Sequence, residues 1–221
     1  MNTIARYLIT VPAVLLVIML HELAHGIAAY KLGDPTAKRM GRLTLNPLNH
    51  LDPIGALCMV LFHFGWAKPV PVDTRYFRNP KRDMALTALA GPLSNLFFAF
   101  LAVPVYLLVW KGYIALAIEG GMESFGANLV LTLFYFVYYF HAVSLGLCLF
   151  NLIPLPPLDG SRILLAFLPP RYYFSLMRYE RMIAFLLVLF LFTGANFGFL
   201  DRIASGISGA MESVWTLLPI F

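Results

Sequence analysis

The sequence predicts an all-α polytopic membrane protein, with about 4–5 transmembrane helices and a short re-entrant or β-hairpin element between the first two. Hydrophobic residues make up 60% of the 221 residues and charged residues only 12%. In an average soluble domain, about half of the residues are apolar and about a quarter are charged. Several apolar stretches also reach the roughly 20 residues with which a helix crosses a bilayer. Both observations disfavour the alternative, a very apolar soluble protein.

Four apolar stretches are long enough to predict membrane spans. The first runs from about 4 to 30 and the second from about 83 to 110. The third, about 127–167, is too long for one straight crossing and is interrupted by NLIPLPPLDG (151–160), whose prolines forbid a regular helix. A fourth span covers about 181–197, and the tail after it is amphipathic or a last, weak span.

The loop between the first two spans contains a second apolar element. PIGALCMVLFHFGW (53–66) is too short to cross the membrane as a helix. We expect a re-entrant segment or a β-hairpin buried in protein, because open backbone at membrane depth needs protein or a water-filled cavity around it.

Basic residues alternate between the predicted loops and set the expected orientation. By the positive-inside rule, the two loops richest in Lys and Arg face the cytoplasm, which places the N-terminus outside. Topology therefore accounts for the net charge of +5, and no nucleic-acid partner is expected. These two loops carry Lys31, Lys38, Arg39, Arg42, Lys68, Arg75, Arg78, Lys81 and Arg82, and then Arg162, Arg171, Arg178 and Arg181.

The first span carries the motif HELAH (21–25), three ionisable residues in an apolar run. On a helix, His21 and His25 lie one turn apart on the same face and can bind one metal ion. Glu22 lies beside them and can reach a water molecule at the metal. The alternative is a pair of histidines bonded to neighbouring polar groups, but ionisable residues inside a membrane helix usually mark function.

A catalytic zinc site needs a third protein ligand and one open position. His21 lies about 25 Å along the first span, near its cytoplasmic end. Asp159 lies at the cytoplasmic end of the third span, whereas His141, about 27 Å earlier on the helix, does not reach that depth. Depth thus favours Asp159, and we expect His141 to form an interhelical hydrogen bond. On spacing alone, Pro-x-Asp-Gly is also good turn chemistry, so an ordinary turn aspartate remains an equal alternative.

HELAH, AGPLSN (90–95) and NLIPLPPLDGSRI (151–163) follow one another along the chain. Together they resemble the motifs of the site-2 protease family, the intramembrane zinc metalloproteases of peptidase family M50. GRLTLNPLNHLDPIG (41–55) and GWAKPVPV (65–72) resemble loop motifs of the short bacterial and archaeal members, which lack PDZ and CBS domains. The resemblance covers most of the chain.

The resemblance implies one zinc ion per chain, bound by His21, His25 and Asp159, with Glu22 as general base. It also implies that Asn95, of the Gly-Pro-x-x-Asn motif, assists catalysis or holds substrate. The implied reaction is hydrolysis of peptide bonds within or near transmembrane segments, as in regulated intramembrane proteolysis.

The resemblance also implies partners and a location. The partners are a transmembrane protein substrate and the lipid bilayer. The location is a prokaryotic cytoplasmic membrane, with the active site towards the cytoplasmic side. We expect a single domain over 1–221, with a catalytic core over about 4–168 and C-terminal helices over about 172–221.

Two further residues are candidates for substrate binding. His50 lies near the site or faces substrate, or it caps its own loop. Asn151 orients the broken helix or bonds its own backbone. Because a substrate helix must unwind before cleavage, we also expect a strand edge within 53–72 to bind it by β-augmentation.

Two other classes of function compete with a protease. One is a catalytically inactive relative that binds transmembrane segments, which the intact Glu22 argues against. The other is a zinc-handling membrane protein, which would need polar ligands along several spans. The second and fourth predicted spans offer few beyond Asn95 and Asn196.

Overall fold

The computed structural model describes residues 3–55, 58, 68–122, 124–169, 178–193 and 198–220. Its contacts group the chain into two compact units. The first comprises Met1–Val17, Asn95–Leu147 and Gly198–Phe221, and the second comprises Ile18–Ser94 and Cys148–Phe197. The single-domain organisation stays a prediction.

Helices form nearly all the regular structure of the described residues. In chain order they are α1 (Thr3–Lys31), α2 (Thr36–Arg39), α3 (Pro80–Gly120), α4 (Phe125–Asn151), α5 (Asp159–Phe167), α6 (Glu180–Phe192) and α7 (Gly198–Thr216). Two short 3-10 helices, Pro47–Asn49 and Thr74–Tyr76, lie between α2 and α3.

Three helices of the described chain are long and apolar enough to cross a membrane: Arg6–Lys31, Pro80–Gly120 and Phe125–Asn151. They correspond to the first three predicted spans, and α6 corresponds to the fourth. The prediction of an all-α polytopic membrane protein is therefore confirmed. The predicted re-entrant or hairpin element at 53–66 lies largely outside the described residues.

The second long helix, α3, extends further than the sequence analysis predicted. The second predicted span ends at about Trp110, whereas the helix that contains it continues to Gly120. The added residues, KGYIALAIEG, contain no proline and several good helix formers, so nothing stops the helix. It ends where Gly121 adopts a φ of +83°, a left-handed conformation that suits glycine at a helix C-terminus.

Polar contacts join α3, α4 and α7 in the first unit. The His141 ring bonds the Ala99 carbonyl through Nδ1 and the Ser208 hydroxyl through Nε2, both at 2.9 Å. Its expected interhelical hydrogen bond is therefore confirmed. The Tyr106 hydroxyl donates to Glu212 of α7. These buried polar groups are satisfied within the unit, as a membrane interior requires.

The predicted break in the third span lies between α4 and α5, in the second unit. The chain turns through Pro154, Pro156 and Pro157 and resumes as a helix at Asp159. Gly160 makes this turn possible, because a Cβ there would lie 2.5 Å from the Ile153 carbonyl oxygen. The close approach of backbone to backbone fixes the first turn of α5, which carries Asp159.

Candidate functional site

The two histidines of HELAH face each other across one turn of α1. Their Nε2 atoms lie 3.0 Å apart, and the rings meet edge to face with centroids separated by 4.5 Å. Both side chains are buried, with 5% and 9% of their surfaces exposed. The predicted pairing on one helical face is thus observed, at the interior of the second unit.

Asp159 completes the cluster from the start of α5. Its Oδ2 atom lies 3.2 Å from the Nε2 atoms of both His21 and His25. This oxygen is buried and makes no hydrogen bond of normal geometry among the described residues. Three donor atoms therefore converge from two helices on one point.

The three converging donors fit a zinc ion. Zinc binds imidazole nitrogen and carboxylate oxygen at about 2.0–2.2 Å in a tetrahedral arrangement, which separates neighbouring donor atoms by about 3.3 Å. The observed separations are 3.0–3.2 Å. A cation at the point where these donors converge would satisfy the buried Asp159 oxygen that has no hydrogen bond. With three protein donors, the set leaves a fourth coordination position for a water molecule or a substrate.

The charge of the carboxylate also suits a metal ligand. Burial acts to raise the pKa of Asp159, but the hydrogen bonds and positive charge of protonated His21 and His25 lower that pKa to about 2. A bound cation would favour the ionised carboxylate for the same reason, because a nearby opposite charge stabilises the charged form.

The backbone of α3 fixes the ring of His25. Its Nδ1 lies 2.7 Å from the carbonyl oxygen of Thr87. Because a carbonyl only accepts hydrogen bonds, Nδ1 carries the proton and the lone pair of Nε2 points at the other donors. Outer contacts of this kind orient metal-binding histidines.

Gly91 of the AGPLSN motif leaves the space that the two rings occupy. A Cβ at this position would lie 2.5 Å from His25 Cε1 and 2.6 Å from His21 Cε1. Any larger residue would push the imidazoles from their positions. The sequence motif points to Asn95, and nothing in its pattern marks the role of its glycine.

Glu22 projects next to the cluster and is held by the backbone. The Val70 N–H donates to Glu22 Oε2 at 2.8 Å. One carboxylate oxygen is thus fixed, which orients the carboxylate. No sequence pattern marks this contact, because the two residues are 48 positions apart.

A cavity of about 370 Å³ opens onto these residues. The lining residues all belong to the second unit, and Asn151 and Arg162 are among them. The remaining lining residues are His21, Glu22, His25, Pro69, Val70, Val72, Met84, Thr87, Ala88, Pro157 and Asp159. The cavity is large enough for a stretch of peptide chain beside the cluster.

The other predicted site residues lie in different settings. Asn95 is buried on α3, in the first unit. His50 is buried in its loop, where its ring donates to the Thr44 carbonyl at 2.9 Å and its N–H closes the preceding 3-10 helix. These are the contacts expected if His50 caps its own loop. Among the described residues, His50 does not line the cavity.

Comparison with known proteins shows the family of the chain. The model of peptidase family M50 matches residues 9–194, most of the chain. The chain belongs to peptidase family M50. The resemblance drawn from the motifs is therefore confirmed, and HELAH, AGPLSN and NLIPLPPLDGSRI all lie within the matched part.

Two relatives show how far the M50 similarity extends. A Bacillus subtilis (strain 168) protein, "Putative zinc metalloprotease YwhC", is 45% identical over 152 residues, which cover 68% of this chain and 65% of YwhC. A Mycobacterium tuberculosis (strain H37Rv) protein, "Putative zinc metalloprotease Rip2", is 27% identical over 91% of this chain and 76% of its own length. The chain thus matches slightly under two thirds of YwhC. No solved structure matches the chain.

Proposed function

We propose that this M50 protein is an intramembrane zinc endopeptidase that hydrolyses peptide bonds within or near transmembrane segments of membrane proteins. The observation that carries the proposal is the convergence of His21, His25 and Asp159 beside Glu22 in one cavity. The names of YwhC and Rip2 support zinc and proteolysis.

His21, His25 and Asp159 would hold one zinc ion per chain. When bound there, zinc supplies a Lewis acid that activates water near neutral pH and polarises a peptide carbonyl. The protein's part is to turn the imidazole Nε2 atoms and the Asp159 carboxylate towards one point. Thr87 contributes by accepting from His25 Nδ1, which fixes the tautomer of that imidazole.

Glu22 acts as the general base in this proposal. It takes a proton from the attacking water and later delivers one to the leaving amine. The Val70 N–H occupies Oε2 of Glu22. In this proposal the other carboxylate oxygen takes the proton. Asn95, by its motif, stabilises the oxyanion or holds substrate.

The segment after residue 67 is the proposed binding edge for an unwound substrate. Pro69 and Pro71 bias the residues before them towards extended backbone. In an extended chain the polar groups of Val72 point to the same side as those of Val70, whose N–H faces Glu22. A substrate strand pairing with Val72 would therefore lie next to the general base.

The location is part of the proposal. The orientation of basic loops supports a cytoplasmic membrane with the cavity towards the cytoplasmic side. This side gives water a path to the cavity without crossing the hydrocarbon core.

Metal depletion tests the proposal. Purified protein treated with a chelator should lose cleavage of a transmembrane substrate, and added zinc should restore it. His21→Ala, which lacks one donor, should bind less zinc and regain no cleavage. Cleavage that persists in chelated protein would refute a zinc peptidase. Zinc binding without any cleavage would instead favour the zinc-handling or inactive alternatives.

A further inference from the structure

The segment 68–73, which lines the cavity and contacts Glu22, is held by buried charged side chains. Pro69 and Pro71 have no N–H to donate, so an ordinary strand ladder cannot hold this segment. The available groups are mostly carbonyl oxygens, and a side chain that only donates hydrogen bonds suits them.

Arg42 supplies those donors. It is 5% exposed, and its Nη2 donates to the carbonyl oxygens of Lys68 at 2.6 Å and Pro69 at 3.3 Å. A buried guanidinium must be hydrogen-bonded to offset its lost hydration. Charge-assisted bonds of this kind are short and hold their geometry well.

Asp34 anchors the other end of the segment. It is fully buried, and its Oδ2 accepts the Asp73 N–H at 2.7 Å while Oδ1 accepts the Thr36 N–H at 2.9 Å. Val70 lies between the two anchors, closer to Arg42. The Arg42 end, which the Lys68 N–H also ties to the His50 carbonyl at 2.9 Å, thus positions the Val70 N–H relative to Glu22.

We propose that Arg42 is a positioning residue for Glu22, acting through the Lys68 and Pro69 carbonyls and the Val70 N–H. The inference rests on the proposed function, since it assigns Glu22 the part of general base. Arg42 touches neither Glu22 nor the three donor atoms in any described contact, so it does not act on the chemistry directly. Its removal should lower turnover while leaving the zinc donors in place.

Kinetics on purified, zinc-loaded protein provide the first test. Arg42→Ala should lower kcat by about 10- to 100-fold, as when an outer contact that orients a metal ligand is lost. KM and zinc content should stay within twofold of wild type. Arg42→Lys keeps the positive charge but carries only a single donor group. Its kcat should lie between those of wild type and Arg42→Ala. Guanidinium ion at millimolar concentration should partly restore Arg42→Ala. The matched control is Arg39→Ala, an exposed arginine of the same loop whose guanidinium lies near Tyr76.

Amide hydrogen exchange provides a second test that needs no substrate. The Val70 amide should exchange at least tenfold faster in Arg42→Ala than in wild type and Arg39→Ala. This result holds even if no substrate is ever cleaved, so failure of the proposed function and failure of this inference can be told apart.

Three outcomes would overturn the positioning role. One is a kcat within twofold of wild type in both Arg42 variants. Another is a loss of activity that matches a loss of zinc, and the third is a raised KM with unchanged kcat. If Arg42→Ala does not fold, Arg42→Lys decides by the same criteria and by the Val70 exchange rate.

Discussion

Three ionisable side chains buried at one point would normally destabilise a protein. Isolated charges cost several kcal/mol when they leave water. In the second unit a divalent cation would offset this cost, because the two imidazole nitrogens and the carboxylate oxygen converge at 3.0–3.2 Å. The residue types and their spacing thus favour a metal centre over three separate structural residues.

Gly91→Ala should weaken zinc binding, although Gly91 is not one of the three donor residues. Its new Cβ would overlap both imidazoles, being 2.6 Å from His21 Cε1. We expect zinc affinity to fall by about 10- to 100-fold, as for other changes that displace metal-binding histidines. Competition with a fluorescent zinc chelator measures it. Gly112→Ala is the control, because a Cβ at that helical glycine meets nothing within 4 Å. Equal affinity of both variants would contradict the geometry.

The cluster of His21, His25 and Asp159 could be predicted from sequence, whereas the groups that orient these side chains could not. HELAH has helical spacing, and a proline-broken turn carries Asp159 at a matching depth. The contacts of Thr87 with His25 and of Val70 with Glu22 join residues 62 and 48 positions apart. These contacts use backbone atoms, which every residue has, so no residue type marks them.

At the scale of elements, the first turn of α5 depends on close backbone packing. A Cβ on Gly160 would collide with the Leu152 and Ile153 carbonyl groups, which cannot rotate away as a side chain could. Gly160→Ala should therefore displace Asp159 and lower both zinc occupancy and the thermal unfolding temperature. Gly146→Ala on α4, with nothing within 4 Å of its Cβ, should change neither by much. A Gly160→Ala protein with full zinc occupancy would show that α5 adapts.

The extended segment beside the cavity gives a second prediction at this scale. Val72→Pro removes the N–H proposed to pair with a substrate strand and leaves the zinc donors untouched. Cleavage of a transmembrane substrate should fall at least tenfold while zinc content stays unchanged. Val72→Ala keeps the N–H and should retain most activity. Unimpaired cleavage by Val72→Pro would exclude strand pairing at this position.

Local patterns also explain which elements were predictable. Long apolar runs and the prolines of 151–160 marked α1, α4 and the break before α5. The end of α3 was missed because Lys111 and Gly112 read as the start of a loop. A single lysine at the surface of a helix is tolerated, and the next strong stop signal comes only at Gly120 and Gly121.

At the scale of the whole molecule, the C-terminal helix α7 lies outside the part of the chain that matches family M50. The M50 model ends at residue 194, and α7 begins at Gly198. Within the first unit α7 is held by polar contacts to α3. The Glu212 carboxylate accepts from Tyr106, and Trp215 Nε1 donates to the Phe100 carbonyl at 3.2 Å. These contacts serve stability, since none involves a zinc donor.

Tyr106→Phe should therefore destabilise the protein without affecting the metal centre. It leaves the half-buried Glu212 carboxylate without this donor, and a hydrogen bond to a charged group is worth about 1.5–3 kcal/mol. Thermal unfolding in detergent should show a lower midpoint, with zinc content equal to wild type. Tyr113→Phe is the control on the same helix. A loss of zinc in Tyr106→Phe would contradict this separation of roles.

The central claim is that Glu22 performs the chemistry at a centre formed by His21, His25 and Asp159. The most direct measurement compares single-turnover cleavage of a transmembrane substrate by wild type and Glu22→Gln, with zinc counted in the same samples. The glutamine keeps an oxygen to accept the Val70 N–H but cannot take a proton. We predict one zinc per chain in both proteins and a loss of cleavage in Glu22→Gln of at least 1,000-fold, about 4 kcal/mol in the activation free energy. Undiminished cleavage by zinc-loaded Glu22→Gln would contradict the account.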